Sequence, residues 1–151
     1  MTININLVRH RLDLILDYLS ELKPLESVDY EEFLRDRYKQ LAAERLIEII
    51  IQAAIDINKH LLKQVSQSVA KSNADAFGVM SELGIIQLGL AQKLAESGKL
   101  RNRLTHRYDE IDPEMIFSFI SQILTDYPQY VEQIADFIDV LEVDDDSCRT
   151  N

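Results

Sequence analysis

The sequence contains a single cysteine and no apolar run long enough to cross a membrane. Cys148 stands alone in an acidic stretch, so it cannot form an intramolecular disulfide, which favours a reducing compartment. No run approaches the roughly 18–20 apolar residues that span a bilayer. The first residues also lack the charged and then hydrophobic pattern of a signal peptide. We therefore expect a cytoplasmic protein with no membrane partner.

Several motifs that identify common enzyme classes are also missing. The sequence has no glycine-rich phosphate loop and no serine-hydrolase motif, and its Cys, His, Asp and Glu residues do not show zinc-ligand spacing. Asp56 and His60 share one helical face, but two ligands do not make a metal site and a surface ion pair explains them more simply. We expect no metal and no cofactor.

Basic residues are scarce and unevenly placed. The chain has 16 Lys and Arg against 26 Asp and Glu, which gives a formal net charge of -10. The window 93–107 nevertheless holds five basic residues and a single acid, Glu96, whereas residues 109–146 are strongly acidic. Since phosphate neutralisation supplies most nonspecific affinity for nucleic acids, this pattern favours a small local anion site over a broad RNA-coating surface. The alternative is that these cations simply stabilise a helix C-terminus.

The periodicity of apolar residues predicts an all-α protein. At 151 residues the chain fits one domain, and no strand pattern or internal repeat competes with the helices. We predict an antiparallel bundle of about four to six helices over residues 1–143, followed by an acidic disordered tail, 144–151. The first predicted helix spans about 4–22, and the second spans about 29–69 with a bend near 35. A third helical segment begins at 73, and a fourth begins at 85 and ends at Gly98 or near Thr105. The last helix begins at Pro113 and is interrupted or kinked at Pro128.

The long central helix is apolar around most of its circumference. Between Leu46 and Ile57 only Glu48, Gln52 and Asp56 are polar, so other helices or another subunit must cover this segment, and a dimer interface is plausible. The three polar residues are spaced by four and form a narrow stripe, which His60 extends by one turn. This stripe is either a solvent-facing strip or the hydrated wall of an active cleft.

The most informative segment is Arg101-Asn102-Arg103-Leu104-Thr105-His106-Arg107-Tyr108. An arginine fork binds phosphate oxygens in two directions, and a histidine can transfer a proton near neutral pH. In one uninterrupted helix, however, Arg101 and His106 would point about 140 degrees apart. Either the helix ends between them, or two subunits contribute complementary groups to a common cleft.

The spacing of arginine, four residues, histidine, one residue and tyrosine resembles the signature of HEPN-domain proteins, specifically the HepT toxins. The segments 43–60 and 77–86 also resemble that family, so that the resemblance covers roughly residues 5–140. It implies a HEPN-type bundle that forms a homodimer with two copies of the motif across a two-fold cleft. It also implies a metal-independent ribonuclease that is the toxin of a type VII toxin-antitoxin system.

The resemblance assigns roles to the residues of the motif. Arg101 would stabilise charge on the phosphorane while His106 acts on the 2′-hydroxyl proton or the leaving 5′-oxygen. Asn102 would orient His106 or the phosphate, or else cap a local turn, and Arg103 and Arg107 would position the RNA backbone. Tyr108 would receive AMP units from a cognate MntA-like nucleotidyltransferase antitoxin; the structural alternative is a buried, hydrogen-bonded tyrosine.

Other interpretations remain open at this point. The chain could be a noncatalytic helical substrate-binding partner of a nucleotidyltransferase, or a helical interaction protein whose basic segment recruits an acidic partner. A ribonuclease of this kind could cleave transfer RNA or messenger RNA. Its dimers could also join a larger complex with the antitoxin.

Overall fold

The computed structural model describes residues 2–66, 69–106, 109 and 112–149, with side chains described as far as Asp144. This part of the chain holds six α-helices and no strand, which confirms the all-α prediction. The helices are α1 (Ile5–Glu26), α2 (Tyr30–Arg35), α3 (Arg37–Val65), α4 (Asn73–Glu82), α5 (Leu88–His106) and α6 (Pro113–Arg149).

Helix α3 is the centre of the bundle and contacts all five other helices. Its apolar side chains are buried within the chain itself, including Ile47, Ile50 and Ile57, each at most 1% exposed. The other helices of the same chain therefore cover most of the apolar segment from Leu46 to Ile57. The apolar character of α3 is consequently no argument for a dimer.

The predicted bend near Arg35 is confirmed at Asp36. This residue has an extended backbone between α2 and α3, and its carboxylate accepts a hydrogen bond from the backbone amide of Lys39 at 3.1 Å. The Lys39 side chain lies 2.8 Å from the same carboxylate, and the two hydrogen bonds hold the pKa of Asp36 below its usual range. Asp36 is thus the N-cap of α3. Asp29, at the start of α2, makes no side-chain capping bond.

Helix α6 is not interrupted at Pro128, and of the two predicted ends of α5 the one near Thr105 is confirmed. Helix α6 runs unbroken through Pro128, although proline lacks the N–H that would bond to Leu124. The buried neighbours Tyr127 and Tyr130 hold this segment against the core. Gly98 does not end α5; it is buried where α4 crosses, and a Cβ there would lie 3.1 Å from the Cα of Ala74. The glycine therefore serves close helix packing and not helix termination.

The C-terminal segment also differs from the prediction of a disordered tail. The backbone of α6 is helical to Arg149, past the expected boundary at 143. Arg9 of α1 binds this end of the helix, at 2.9 Å from Asp139 and 2.8 Å from Glu142. These ion pairs raise the pKa of Arg9 and attach the helix to the bundle just before the acidic run.

Two buried tyrosines fix the helix that carries the motif. The Tyr127 hydroxyl of α6 lies 2.7 Å from the Ser97 hydroxyl of α5, and the Tyr130 hydroxyl donates to the Asn58 side chain of α3 at 2.7 Å. Burial raises the pKa of both phenols, because the charged form would be desolvated. The hydrogen bonds join α3, α5 and α6 in a defined register. None of the helices in the described ranges could cross a bilayer.

Candidate active site

The motif lies on the last turns of α5, which is continuous from Leu88 to His106. The possibility that the helix ends between Arg101 and His106 is therefore wrong. With 100 degrees per residue, the two side chains leave the helix about 140 degrees apart. Arg101 is partly buried and His106 is exposed. One chain does not bring its two predicted catalytic groups to the same point.

Arg101 lines a cavity of about 230 Å³ between α1, α3 and α5. Glu48, Gln52 and Asp56 of α3 form one wall, so the polar stripe is placed beside the predicted phosphate-binding arginine. His60, the fourth member of the stripe, lies elsewhere: its Nε2 accepts a hydrogen bond from the backbone amide of Asn4 at 3.0 Å. Three of the four stripe residues thus line the same cavity as Arg101, and the fourth, His60, forms a hydrogen bond with the start of α1 instead.

Hydrogen bonds and ion pairs order this wall. The Gln52 amide donates to Asp56 at 2.8 Å, and Arg11 of α1 lies 3.3 Å from the other oxygen of that carboxylate. Arg45 lies 3.4 Å from Glu48. Three arginines and two carboxylates line the cavity, which gives it one net positive charge in a chain of net charge -10. The cavity is suited to an anion.

Two buried polar atoms at this cavity have no hydrogen-bond partner in the described part of the chain. They are the Nε of Arg101 and the Oε1 of Gln52, and no ion pair of Arg101 occurs among the described residues. A buried donor or acceptor without a partner is costly. Arg101 therefore retains hydrogen-bonding capacity beside the cavity that no described residue uses.

Asn102 occupies a different face of α5. Its side-chain oxygen accepts a hydrogen bond from the Asn73 amide of α4 at 3.3 Å. This contact joins the start of α4 to the motif helix, one turn before His106. The structure shows a contact between helices for Asn102, and its role in orienting His106 or the phosphate stays a prediction.

The remaining predicted site residues are exposed or lie outside the described residues. Arg103 and His106 are exposed at the end of α5, while Arg107 and Tyr108 belong to the part that the structure does not describe. Among described residues, no group of three or more His, Cys, Asp or Glu side chains could hold a metal ion. Sequence reasoning missed Arg11 and Arg45 as cavity residues. Arg11 lies on α1, so it could be predicted as a cavity residue only if the packing of α1 against α3 were known.

Comparison with known proteins shows the family of this chain. A family model described as ribonuclease HepT-like matches residues 15–134. The tRNA nuclease HepT of Aphanizomenon flos-aquae is 41% identical over 140 residues, which cover 93% of this chain and 95% of that protein. The chain belongs to the HepT-like ribonuclease family. The extent of the match and the identity over nearly the whole length both support this assignment.

More distant relatives share the same fold. The mRNA nuclease HepT of Shewanella oneidensis is 24% identical over 106 residues, covering 70% of this HepT-like chain and 80% of that protein. A solved structure of a tri-AMPylated Shewanella oneidensis HEPN toxin in complex with MNT antitoxin superimposes with a TM-score of 0.76 at 21% identity, covering 86% of this chain and 97% of that one. The six-helix bundle of this HepT-like chain is thus a HEPN fold.

Proposed function

We propose that this chain is the toxin of a type VII toxin-antitoxin system and acts as a metal-independent RNA endonuclease. The observation that carries the proposal is Arg101, whose buried Nε lacks a partner in the described part of the chain and which lines a polar, net positive cavity on the helix that ends at His106. The relatives named as nucleases support the same activity. We place the activity in the cytoplasm.

The chemistry follows from the two side chains. The 2′-oxygen of the RNA attacks the neighbouring phosphorus, its proton passes to a base, and the bond from phosphorus to the 5′-oxygen breaks as an acid protonates the leaving oxygen. His106 supplies proton transfer, and Arg101 stabilises the charge on the phosphorane oxygens. The products are a 2′,3′-cyclic phosphate and a 5′-hydroxyl. DNA lacks the attacking hydroxyl and is not a substrate.

This reaction needs both a base and an acid, whereas each chain carries one histidine in the motif. A two-fold homodimer that joins two motifs would supply two His106 side chains and would also bring His106 of one chain towards Arg101 of the other. The separation of about 140 degrees between these residues along α5 is the reason to expect this arrangement. The proposal of a dimer rests on that geometry and on the family, not on the apolar face of α3. Such dimers could also assemble into a larger complex with the antitoxin.

Regulation would act at Tyr108, two residues beyond His106. We propose that an MntA-like nucleotidyltransferase antitoxin attaches AMP to this hydroxyl. An added phosphate would place negative charge where the RNA backbone must approach, and it would compete for Arg101, Arg103 or Arg107. The tri-AMPylated relative shows that a HEPN toxin can carry such a modification. The RNA substrate is a transfer or messenger RNA, because relatives with both kinds of substrate occur.

The test is cleavage of total RNA by the purified, unmodified protein in the presence of EDTA. We expect cleavage that leaves cyclic phosphate ends, and its loss in His106→Ala. His10→Ala is the matched control, because His10 is an exposed histidine of α1 outside the cavity. Dependence on a divalent cation would contradict the metal-independent mechanism. A wild-type protein without nuclease activity that still binds the nucleotidyltransferase would favour the noncatalytic partner role.

A further inference from the structure

A second and larger cavity lies at the other side of the contact between Asn73 and Asn102. It measures about 800 Å³ and opens between the C-terminal part of α3 and the start of α4. Its floor is apolar, with Ile55, Leu62 and Ala76 buried beneath it. This volume lies within the range of small-molecule sites, roughly 300–1,000 Å³, and it is larger than the cavity at Arg101.

Three lysines surround this apolar floor, namely Lys59, Lys63 and Lys71. All three are exposed, and none forms an ion pair with a residue of the described ranges. Lys59 and Lys63 are four apart on α3 and therefore share one face. The nearby carboxylate of Asp75 accepts a hydrogen bond from the backbone amide of Lys71 at 3.0 Å. Three cations against this one acid make the cavity basic in a chain of net charge -10.

The cavity is physically continuous with the motif helix. Asn73, which lines the cavity, donates to Asn102, the residue directly after Arg101. Gly98 brings α4 against α5 one turn earlier. On α3, Asp56 of the Arg101 cavity and Lys59 of the second cavity are three residues apart and therefore neighbours on the helix surface, so a strand of RNA held at Arg101 can extend to the second cavity.

We propose that this cavity is a subsite for a nucleotide that flanks the scissile phosphate. An apolar floor fits the face of a base, and the ring of lysines fits the phosphate that follows it. None of the described residues that line the cavity is aromatic, and Lys is a point charge. The subsite therefore binds a nucleotide by burial and charge and does not read a particular base edge. The inference rests on the proposed ribonuclease function and adds a place for the substrate outside the catalytic pair.

The experiment compares two double variants that remove the same charge. Lys59→Gln with Lys63→Gln alters the subsite. Lys23→Gln with Arg35→Gln removes two exposed cations that do not line the cavity, one near the end of α1 and one at the end of α2. Binding of a ten-nucleotide 2′-O-methyl RNA, which cannot be cleaved, is measured over a range of salt concentrations. Cleavage is measured with an unmodified RNA of the same sequence and with a dinucleotide that holds only the scissile phosphate.

We expect the subsite variant to bind the longer RNA several-fold more weakly. The slope of the logarithm of the binding constant against the logarithm of the salt concentration should become shallower by about 0.7 for each lysine removed. The value of KM for the longer RNA should rise while kcat changes little, and dinucleotide cleavage should stay at the wild-type rate. The control variant should leave the salt dependence unchanged. Equal losses in both double variants, or a loss of dinucleotide cleavage equal to that of the longer RNA, would overturn the subsite.

A third variant tests the apolar floor. Ala70 lies partly buried at the cavity, and Ala70→Phe would fill the space while keeping the lysines. It should weaken binding of the longer RNA with little change in salt dependence, and unchanged binding would count against a buried base. A wild-type protein that cleaves no RNA would instead overturn the ribonuclease function, which separates that failure from failure of the subsite alone.

Discussion

Replacing Arg101 by lysine tests the catalytic cavity most directly. The guanidinium presents five donors in a planar fork, and its buried Nε has no partner in the described part of the chain. Lysine keeps the charge but offers one compact ammonium group at the end of a flexible chain. Since Glu48 and Asp56 remain opposite a cation, the substitution should leave the bundle folded.

The magnitude follows from the donors that are lost. Removing one donor that stabilises charge in a transition state costs about 10²–10³ in rate, equivalent to about 2.7–4 kcal/mol. If Arg101 binds the phosphorane through two donors of its guanidinium, the ammonium of lysine replaces at best one of these two contacts. We therefore expect kcat to fall by about 10²–10³ with a much smaller change in KM.

The assay is steady-state cleavage of a defined RNA, together with thermal unfolding of both proteins. Arg103→Lys is the matched control, because Arg103 lies two residues away on the same helix, is exposed and has the proposed role of holding RNA backbone by charge. It should retain most of its kcat. If Arg101→Lys kept wild-type kcat, or if both substitutions reduced kcat equally, the proposal that the planar guanidinium of Arg101 stabilises the transition state would be refuted.

Four further predictions concern assembly, regulation and stability. Coexpressed Arg101→Ala and His106→Ala chains should regain a fraction of the wild-type cleavage, which neither variant has alone, because a mixed dimer holds one His106 opposite one Arg101 but lacks the second His106. Tyr108→Phe should stay active but escape inactivation by the nucleotidyltransferase with ATP and magnesium, as judged by intact mass and cell growth. Tyr130→Phe should lower the free energy of unfolding by about 1–3 kcal/mol in urea titrations, since a buried acceptor loses its donor. Asp126→Asn should raise that free energy at neutral pH.

The sign for Asp126 follows from its burial. This residue is 4% exposed, and desolvation raises its pKa in the folded state. The folded chain then binds the proton more tightly than the unfolded chain, so this carboxyl destabilises the fold increasingly as the pH rises from the unfolded to the folded pKa. The asparagine variant should gain stability relative to the wild type across that window, as measured by urea titration at pH 4 and pH 7.

Each of these predictions has a result that would contradict it. Failure of the mixed chains to regain activity, once their association is verified by size, would argue against a shared cleft. AMP on another residue, or a modified Tyr108 protein that cleaves normally, would remove the proposed switch. Tyr38→Phe is the control for Tyr130→Phe, because Tyr38 is 87% exposed. Equal changes in the free energy of unfolding would show that the buried hydrogen bond of Tyr130 does not stabilise the fold. If Asp126→Asn raised the free energy of unfolding equally at pH 4 and pH 7, the gain would come from packing and not from removal of a charge.

The sequence predicted the features that depend on local periodicity and missed those that depend on tertiary packing. The spacing of apolar residues and the bend near Arg35 are local, and both are confirmed. The contact between Asn102 and Asn73, the place of Arg11 in the cavity and the packing role of Gly98 each depend on which helices lie side by side. No local pattern encodes those pairings. The burial of α3 within one chain likewise required the positions of the other five helices.

The close packing at Gly98 has a consequence for the choice of RNA. With no Cβ between them, α4 and α5 touch along their backbones, and the hydrogen bond from Asn73 to Asn102 joins them again one turn later. These two contacts hold the start of α4, which lines the second cavity, against the helix that carries Arg101. If the second cavity binds a flanking nucleotide as proposed, the RNA strand must bend between the two cavities, and we expect the protein to prefer unpaired RNA to a rigid duplex.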